Sequence, residues 1–309
     1  MKEKYTKYIE QQFNNSAIRN QYIRLPKTSN DEFSRLDPLN EDGNEPVKGL
    51  IHKYDNRVLI KVSYKCAAHC QFCTRIRQIG SSDGDLTPEN IIKIADYIRF
   101  HKEISDVILS GGDPFYTAKK TSQILNLLEA ISNIRVIRIG TRLPIHNPQS
   151  FDSPLIDSVL QTIKRIQEVK PVIILLHVEH PDELTMEVLE VIKRLKNIGL
   201  TLLSQTVFLK GINNNYEILH ALFEKLYWNN VIPYYIYRCD YVKGLEHFVC
   251  DMQQEVNIMT KLKKNLSGIA CPTYVIDVEG KGKIPVPLNF WKIDNRNVLV
   301  DYDGNKITI

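Results

Sequence analysis

The chain has 309 residues, of which 43% are hydrophobic, so it is long enough for one large core of the size found in single α/β barrels. Its 40 lysines and arginines barely exceed its 36 acidic residues, and a formal charge of +4 excludes the basic stripe that nucleic-acid binding requires. A charged N-terminus and a longest apolar stretch confined to residues 171–178 predict neither a signal peptide nor a membrane span, and so a cytoplasmic protein.

Short β-rich runs alternate with amphipathic stretches along the chain. The runs lie near residues 57–63, 106–110, 135–139, 172–177, 201–207 and 231–237. Thr87 as N-cap and Pro88 at the first helical position mark the first helix of this series, whose predicted apolar face comprises Ile91, Ile92, Ala95 and Ile98. Six such units predict either a partial (β/α)6 TIM-like barrel or a doubly wound sheet, and in both folds the residues after the strands line the active site.

Three cysteines directly follow the first of these strands. Cys66, Cys70 and Cys73 have C-x3-C-x2-C spacing, which in a reducing compartment favours metal ligands over disulfides. A 4Fe–4S cluster normally takes four thiolates, so a three-cysteine loop leaves one iron open to an external ligand. The alternative is a zinc site, which needs a fourth ligand nearby, and His69 is poorly placed for this role inside the loop.

A glycine pair, Gly111-Gly112, follows the second strand and precedes Asp113. Glycines allow a backbone carbonyl to approach a ligand without an intervening side chain. Together with the cysteine spacing and an aromatic residue before the third cysteine, this segment resembles the radical S-adenosylmethionine (SAM) superfamily. The resemblance implies that SAM chelates the open iron and that Gly111, Gly112 and Asp113 contribute to the SAM site.

Ordered matches from about residue 37 to residue 290 narrow the resemblance to the lysine 2,3-aminomutase family, which includes the enzyme that makes β-lysine for elongation factor P. The matches are HKYDNR at 52–57, TR at 74–75, LSGGDPF at 109–115, GTRLP at 140–144, HVEHP at 177–181, SQ at 204–205, PYYIY at 233–237 with CD at 239–240, and PTYVID at 272–277 leading to GKIPV at 282–286. The resemblance implies an isomerase that uses a 4Fe–4S cluster, SAM and pyridoxal 5′-phosphate (PLP) to convert L-lysine to β-lysine.

The resemblance also implies a PLP site late in the chain. Lys283 matches the lysine that binds PLP covalently, and Lys281 is its rival because it interrupts a shortened run of glycines. Tyr54 matches a residue that contacts PLP, and Lys53 and Arg57 match basic residues that bind the PLP phosphate. Lys53 stands where free-lysine mutases carry arginine, so a point charge replaces a bidentate clamp.

The substrate residues implied by the resemblance are Arg75 for the carboxylate and the pair Asp240 and Asp277 for the distal ammonium. A planar guanidinium suits bidentate binding of a carboxylate, and two carboxylates facing one cation select against acidic substrates.

Three further residues lie at strand ends. His177, Gln205 and Tyr237 are predicted on this basis to line the barrel mouth and to contact SAM or PLP.

Several alternatives stay open at this stage. The substrate is lysine or arginine, and a third interpretation is an inert iron–sulfur or zinc protein that keeps the barrel as a binding module. We expect residues 1–45 to form a helical extension, 46–290 the barrel with its PLP segment, and 291–309 a C-terminal strand and tail. The expected partners are a small amino acid and an electron donor such as flavodoxin or ferredoxin, with no nucleic acid or membrane, and a homo-oligomer stays open.

Overall fold

The fold is built on one curled sheet of nine strands, seen in a computed structural model that describes residues 3–24, 34–81, 85–288 and 298–308. The strands are β1 Leu50–Tyr54, β2 Arg57–Ser63, β3 Asp106–Gly111, β4 Val136–Thr141, β5 Val172–His177, β6 Thr201–Val207, β7 Ile232–Tyr237, β8 Thr273–Val278 and β9 Gly282–Pro285. Strands β2 to β8 run parallel to one another, whereas β1 pairs antiparallel with β2 at one edge and β9 pairs antiparallel with β8 at the other.

Two short helices precede β1, and the other helices lie in the connections between parallel strands. The helices are α1 Lys7–Glu10, α2 Ser16–Arg19, α3 Pro88–Phe100, α4 Ala118–Glu129, α5 Leu143–His146, α6 Pro154–Ile166, α7 Met186–Asn197, α8 Tyr216–Trp228 and α9 Met252–Asn265, and a separate ribbon pairs β10 Val298–Val300 with β11 Lys306–Thr308. Helices α3, α4, α6, α7, α8 and α9 complete the six predicted βα units, and β8 adds a seventh parallel strand that was not predicted.

The strand order distinguishes between the two predicted architectures. A doubly wound sheet reverses its strand order at a switch point. Here the order runs from β1 to β9 without reversal, and within the described residues β1 and β9 do not pair with each other. The fold is therefore an open, partial TIM-like barrel, and that prediction is confirmed.

Helix α3 begins as predicted, and Ile91, Ala95 and Ile98 of its predicted apolar face are buried. The Thr87 hydroxyl accepts the Asn90 N–H at 3.2 Å and the Asn90 side chain accepts the Thr87 N–H at 3.2 Å, forming a capping box. The prediction that Ile92 faces the core is wrong, because this side chain is 55% exposed and Ile94 is buried in its place. Ile91, Ile94, Ala95 and Ile98 follow the i, i+3, i+4, i+7 spacing of one apolar stripe, and Ile92 lies outside the edge of that stripe.

Alternation along the strands separates the core from the site. Ile137, Ile139, Ile174 and Ile236 point into the main apolar cluster between sheet and helices. Their strand neighbours point to the concave side of the sheet, since successive side chains face opposite ways. That concave side carries the polar residues described below.

The N-terminal residues pack against the cysteine loop. Ile9, Ile18 and Tyr22 from the α1–α2 region form a small apolar cluster with Ala68. Residues 1–2 and 25–33 of the expected extension, residues 82–84 and 289–290 of the expected barrel, and residues 291–297 and 309 of the expected tail lie outside the described residues. Among the helices of the described ranges, none has the length and apolarity needed to cross a membrane.

Candidate active site

The predicted cluster loop begins three residues after β2. Burial raises the pKa of all three thiols, that of Cys73 to about 11, and the neighbouring cysteines add to this for Cys66 and Cys73. Three such thiols repel one another when ionised, so a bound positive centre is what would hold them as thiolates. Across residues 3–24, 34–81, 85–288 and 298–308, no three acidic, His or Cys side chains are arranged around a single metal ion. Three thiolates on one short loop fit a 4Fe–4S cluster in which one iron is left without a protein ligand.

The glycine pair lies directly against this loop. Gly111 has a φ of +100°, and a Cβ on Gly112 would lie 2.3 Å from the carbonyl oxygen of Lys65. The buried carboxylate of Asp113 accepts hydrogen bonds from the Thr141 hydroxyl at 3.0 Å and from the Arg142 N–H at 2.7 Å. Because the Asp113 carboxylate is hydrogen-bonded inside the protein, the backbone of residues 111–113 is available to contact a ligand.

A cavity of about 280 Å³ occupies the concave side of the sheet. Ten residues singled out from the sequence line it, namely Lys53, Tyr54, Arg57, Arg75, His177, Gln205, Tyr237, Asp240, Asp277 and Lys283. Phe72 and Thr74 of the cysteine loop also line it, so the loop and the late lysine segment share one space. The three cysteines, the glycine pair and Asp113 are not part of this wall.

Two lysines hold one aspartate at the end of the cavity formed by β8 and β9. Asp277 and Lys283 are paired in the antiparallel register of β8 and β9, and the Lys283 Nζ lies 3.3 Å from the Asp277 Oδ2. The Lys53 Nζ lies 3.0 Å from the other oxygen, Oδ1. Lys281 is exposed at the turn before β9 and does not line the cavity, so the geometry favours Lys283 as the lysine available to a cofactor.

Asp240 faces the same end of the cavity. Burial and the charge of Asp277 raise the pKa of Asp240 to about 7, although Lys53 and Lys283 oppose this. Among the described residues, its carboxylate has neither an ion-pair partner nor a hydrogen-bond donor. A cation entering the cavity would supply what this carboxylate lacks.

Unsatisfied polar atoms near Lys283 fit a bound polar group. The Tyr54 hydroxyl and the Arg57 Nε are buried without a hydrogen-bond partner in the described part of the chain. The Arg57 guanidinium lies 4.2 Å and the Lys283 Nζ 5.6 Å from the centre of the Tyr54 ring. A Cβ on Gly282 would lie 2.7 Å from that ring, so glycine is required for the close approach. Such a site fits an aromatic cofactor with an anionic arm.

Arg75 has a partner that was not predicted. Its Nε and Nη2 bind the two carboxylate oxygens of Glu41 at 2.8 and 2.5 Å, and its Nη1 reaches the Ser110 hydroxyl at 3.4 Å. Although burial alone would raise the pKa of Glu41, the Arg75 charge holds it below its ordinary value. Glu41 therefore stays ionised and occupies one edge of the guanidinium. No periodic pattern marks Glu41 in the sequence.

The three predicted strand-end residues lie on the cavity wall. The Gln205 Nε2 donates to the Tyr237 hydroxyl at 3.2 Å. The His177 Nε2 lies 2.5 Å from a carboxylate oxygen of Glu179, a fully buried residue that was not predicted. Burial raises the pKa of Glu179, and the adjacent imidazole opposes that shift. Glu179 thus fixes the orientation of the His177 ring toward the cavity.

Comparison with known proteins supports the same family. The model of the radical SAM superfamily matches residues 60–222, just over half of the chain. The L-lysine 2,3-aminomutase of Methanococcus maripaludis is 36% identical over 279 residues, which cover 89% of this chain and 63% of that protein. The L-lysine 2,3-aminomutase of Fusobacterium nucleatum is 36% identical over 305 residues, covering 97% of this chain and 70% of that protein.

A solved structure supports the fold alone. A radical SAM methyltransferase from Sphaerobacter thermophilus superposes with a TM-score of 0.53 at 15% identity, over 75% of this chain and 69% of that one.

The chain spans roughly two thirds of the length of the two L-lysine 2,3-aminomutases. On these matches, the chain belongs to the radical SAM superfamily and, within it, to the lysine 2,3-aminomutase family.

Proposed function

We propose that this protein is an isomerase that converts L-lysine to β-lysine by moving the amino group from C2 to C3. The observation that supports this best is the single cavity whose wall carries Arg75, the acidic pair Asp240 and Asp277, and Lys283. These residues offer a site for a carboxylate, a site for a distal cation and an amine for a carbonyl cofactor. A lysine substrate requires all three.

Membership of the family implies a 4Fe–4S cluster, SAM and PLP. When bound, the cluster and SAM supply the radical chemistry that removes a hydrogen atom from an unactivated carbon, and PLP supplies a carbonyl that bonds reversibly to amines. Cys66, Cys70 and Cys73 would hold the cluster, with the backbone of the glycine pair near SAM. Lys283 would anchor PLP, with Tyr54 and Arg57 alongside.

Arg75 would orient the substrate carboxylate. Glu41 takes the edge of the guanidinium formed by Nε and one Nη2 hydrogen, so donors on Nη1 and Nη2 remain for a second carboxylate. The bidentate contact with Glu41 fixes the plane of the guanidinium before substrate arrives. A fixed donor plane loses less entropy on binding than a mobile side chain.

The charges at the other end of the cavity suit one distal cation. When all four are ionised, Asp240 and Asp277 carry two negative charges and Lys53 and Lys283 carry two positive charges. Once Lys283 gives up its charge to anchor PLP, one net negative charge remains. Lysine brings one distal positive charge, whereas an acidic side chain would leave the carboxylates unpaired and repelled.

The remaining cavity residues would position SAM or PLP and exclude water. His177, held by Glu179, and Gln205, bonded to Tyr237, stand on neighbouring strands of the concave wall. Side chains locked by such bonds keep the reacting carbon within reach and limit the motion of the wall.

Arginine is the second candidate substrate. The Asp240 carboxylate has a free acceptor, and a guanidinium forms paired hydrogen bonds with carboxylates. Lys53 already binds one carboxylate oxygen of Asp277 at 3.0 Å, which leaves fewer acceptors for a guanidinium and favours the ammonium. For the reducing step we propose an electron donor such as flavodoxin or ferredoxin, and the six free cysteines fit the reducing cytoplasm.

The test compares lysine and arginine in one anaerobic mixture. Iron-reconstituted protein with PLP, SAM and a strong reductant should form β-lysine with a higher kcat/KM than β-arginine, and Asp240→Asn and Asp277→Asn should lose product while still cleaving SAM. Asp55→Asn, at an exposed turn, is the matched control. SAM cleavage with no β-amino acid from either substrate would refute the substrate assignment, and absence of SAM cleavage would support the inert binding module.

The PLP anchor is tested separately. Borohydride reduction followed by peptide mass spectrometry should place the PLP mass on Lys283, and Lys283→Gln should abolish it. Lys281→Gln is the matched control two residues away, and it should keep both the label and the activity. Label on Lys281 would contradict the assignment.

A further inference from the structure

A buried arginine lies against one of the cluster cysteines. Arg142 directly follows β4, and its side chain is 5% exposed. Its Nη1 donates to the Cys70 Sγ at 2.9 Å. The His146 imidazole also contacts this sulfur, with its Nε2 at 3.6 Å. Neither contact was predicted from the sequence.

The arginine is held in place from several sides. Its Nη2 binds Glu183, which is 1% exposed, at 2.8 Å, and it also bonds to the side-chain oxygen of Gln21 from the N-terminal segment. The ring of Phe72 lies 5.1 Å from the guanidinium carbon. Glu183 is itself fixed by the Glu179 N–H at 2.8 Å. These contacts fix the position of the Arg142 guanidinium relative to Cys70.

We propose that Arg142 sets the reduction potential of the iron–sulfur cluster. Reduction adds one electron from an external one-electron donor, and thus one negative charge, to the cluster. A fixed positive charge and an N–H donor on the Cys70 thiolate stabilise that added charge, so they raise the potential. Burial strengthens the effect, because Coulomb energies grow as the local dielectric constant falls.

The neighbouring carboxylate predicts an effect of opposite sign. Glu183 places a negative charge beside Arg142 and therefore offsets part of its field at Cys70. Removing the Glu183 charge while keeping its shape should raise the potential, whereas removing the Arg142 charge should lower it. Damage to the fold would not produce opposite shifts in these two variants. The role rests on the cluster alone and not on the proposed substrate.

The experiment is a mediated redox titration of reconstituted protein without substrate. The EPR signal of the reduced cluster is measured at each potential, and its intensity is normalised to the iron and sulfide content of the protein. Arg142→Gln should shift the midpoint to more negative potential, Arg142→Lys should shift it less, and Glu183→Gln should shift it to more positive potential.

The matched control is Arg238→Gln. Arg238 also pairs with a buried carboxylate, Glu255 at 2.5 Å, but it contacts no cluster cysteine, and its loss should leave the midpoint unchanged. A wild-type midpoint in iron-replete Arg142→Gln would overturn the proposal. So would shifts of the same sign in Arg142→Gln and Glu183→Gln. If Arg142→Gln fails to assemble the cluster, Arg142→Lys and Glu183→Gln still decide the question.

Discussion

The raised pKa of Asp240 predicts a specific pH dependence of substrate affinity. Burial and the charge of Asp277 raise this pKa to about 7, and only the ionised carboxylate attracts the distal ammonium of lysine. The ionised fraction is about one half at pH 7 and about one tenth at pH 6 for such a pKa. Affinity for lysine should therefore fall as the pH decreases through this pKa, approaching about tenfold per unit below it, and loss of the Lys283 charge on anchoring PLP should move the fall to higher pH.

The assay measures the dissociation constant of lysine by calorimetry from pH 5.5 to 8.5, with the cofactors present and no reductant. Lysine keeps its side-chain charge over this range, so the slope reports on the protein. Asp240→Asn should bind lysine weakly and without this slope. Norleucine, which has the same chain length without the distal amine, should show no slope with wild-type protein. A flat wild-type profile, or an unchanged slope in Asp240→Asn, would refute the reasoning.

Three further predictions concern stability, orientation and the glycine pair. The pKa of Asp240 is higher in the folded than in the unfolded protein, so the free energy of unfolding of substrate-free protein should fall by up to about 4 kcal/mol as the pH rises from about 4 to 7. Asp240→Asn removes this penalty and should raise the melting temperature at pH 8 but not at pH 4. Glu41→Gln removes one charge-assisted contact to Arg75, worth about 1.5–3 kcal/mol. The KM for lysine should rise roughly tenfold or more, while SAM cleavage without substrate persists. An unchanged KM would exclude an orienting role for Glu41. Gly112→Ala introduces a Cβ 2.3 Å from a carbonyl oxygen and should impair SAM binding measured by calorimetry, whereas Gly268→Ala, with open space around it, should not; equal binding in both would contradict the close approach.

Strongly patterned elements could be predicted from the sequence. The strand at Val172–His177 is an apolar run up to its final histidine, and its predicted bounds match. The capping residues at Thr87 and Pro88 likewise fixed the start of α3. Strands β1 and β9 were not predicted, because short edge strands with mixed exposure lack a clear period.

Pairings across the sheet could not be predicted, because they join residues far apart in the chain. Lys53 and Asp277 are 224 positions apart and meet only because the sheet curls. The sequence located both residues by family resemblance but assigned Lys53 to the PLP phosphate. In the structure the Lys53 ammonium contacts Asp277. That it also contacts a bound phosphate stays a prediction. Glu41 had no local signal, and Arg142 lies in the matched GTRLP segment but was assigned no role, since its contact with Cys70 arises only in the fold.

The most direct test of the central proposal uses lysine labelled with ¹⁵N at the C2 amino group. The labelled substrate is incubated with reconstituted protein, SAM, PLP and reductant, and the product is analysed by NMR. The proposed amino migration predicts β-lysine with ¹⁵N bonded to C3. Unlabelled β-lysine, or SAM cleavage with lysine recovered unchanged, would contradict it.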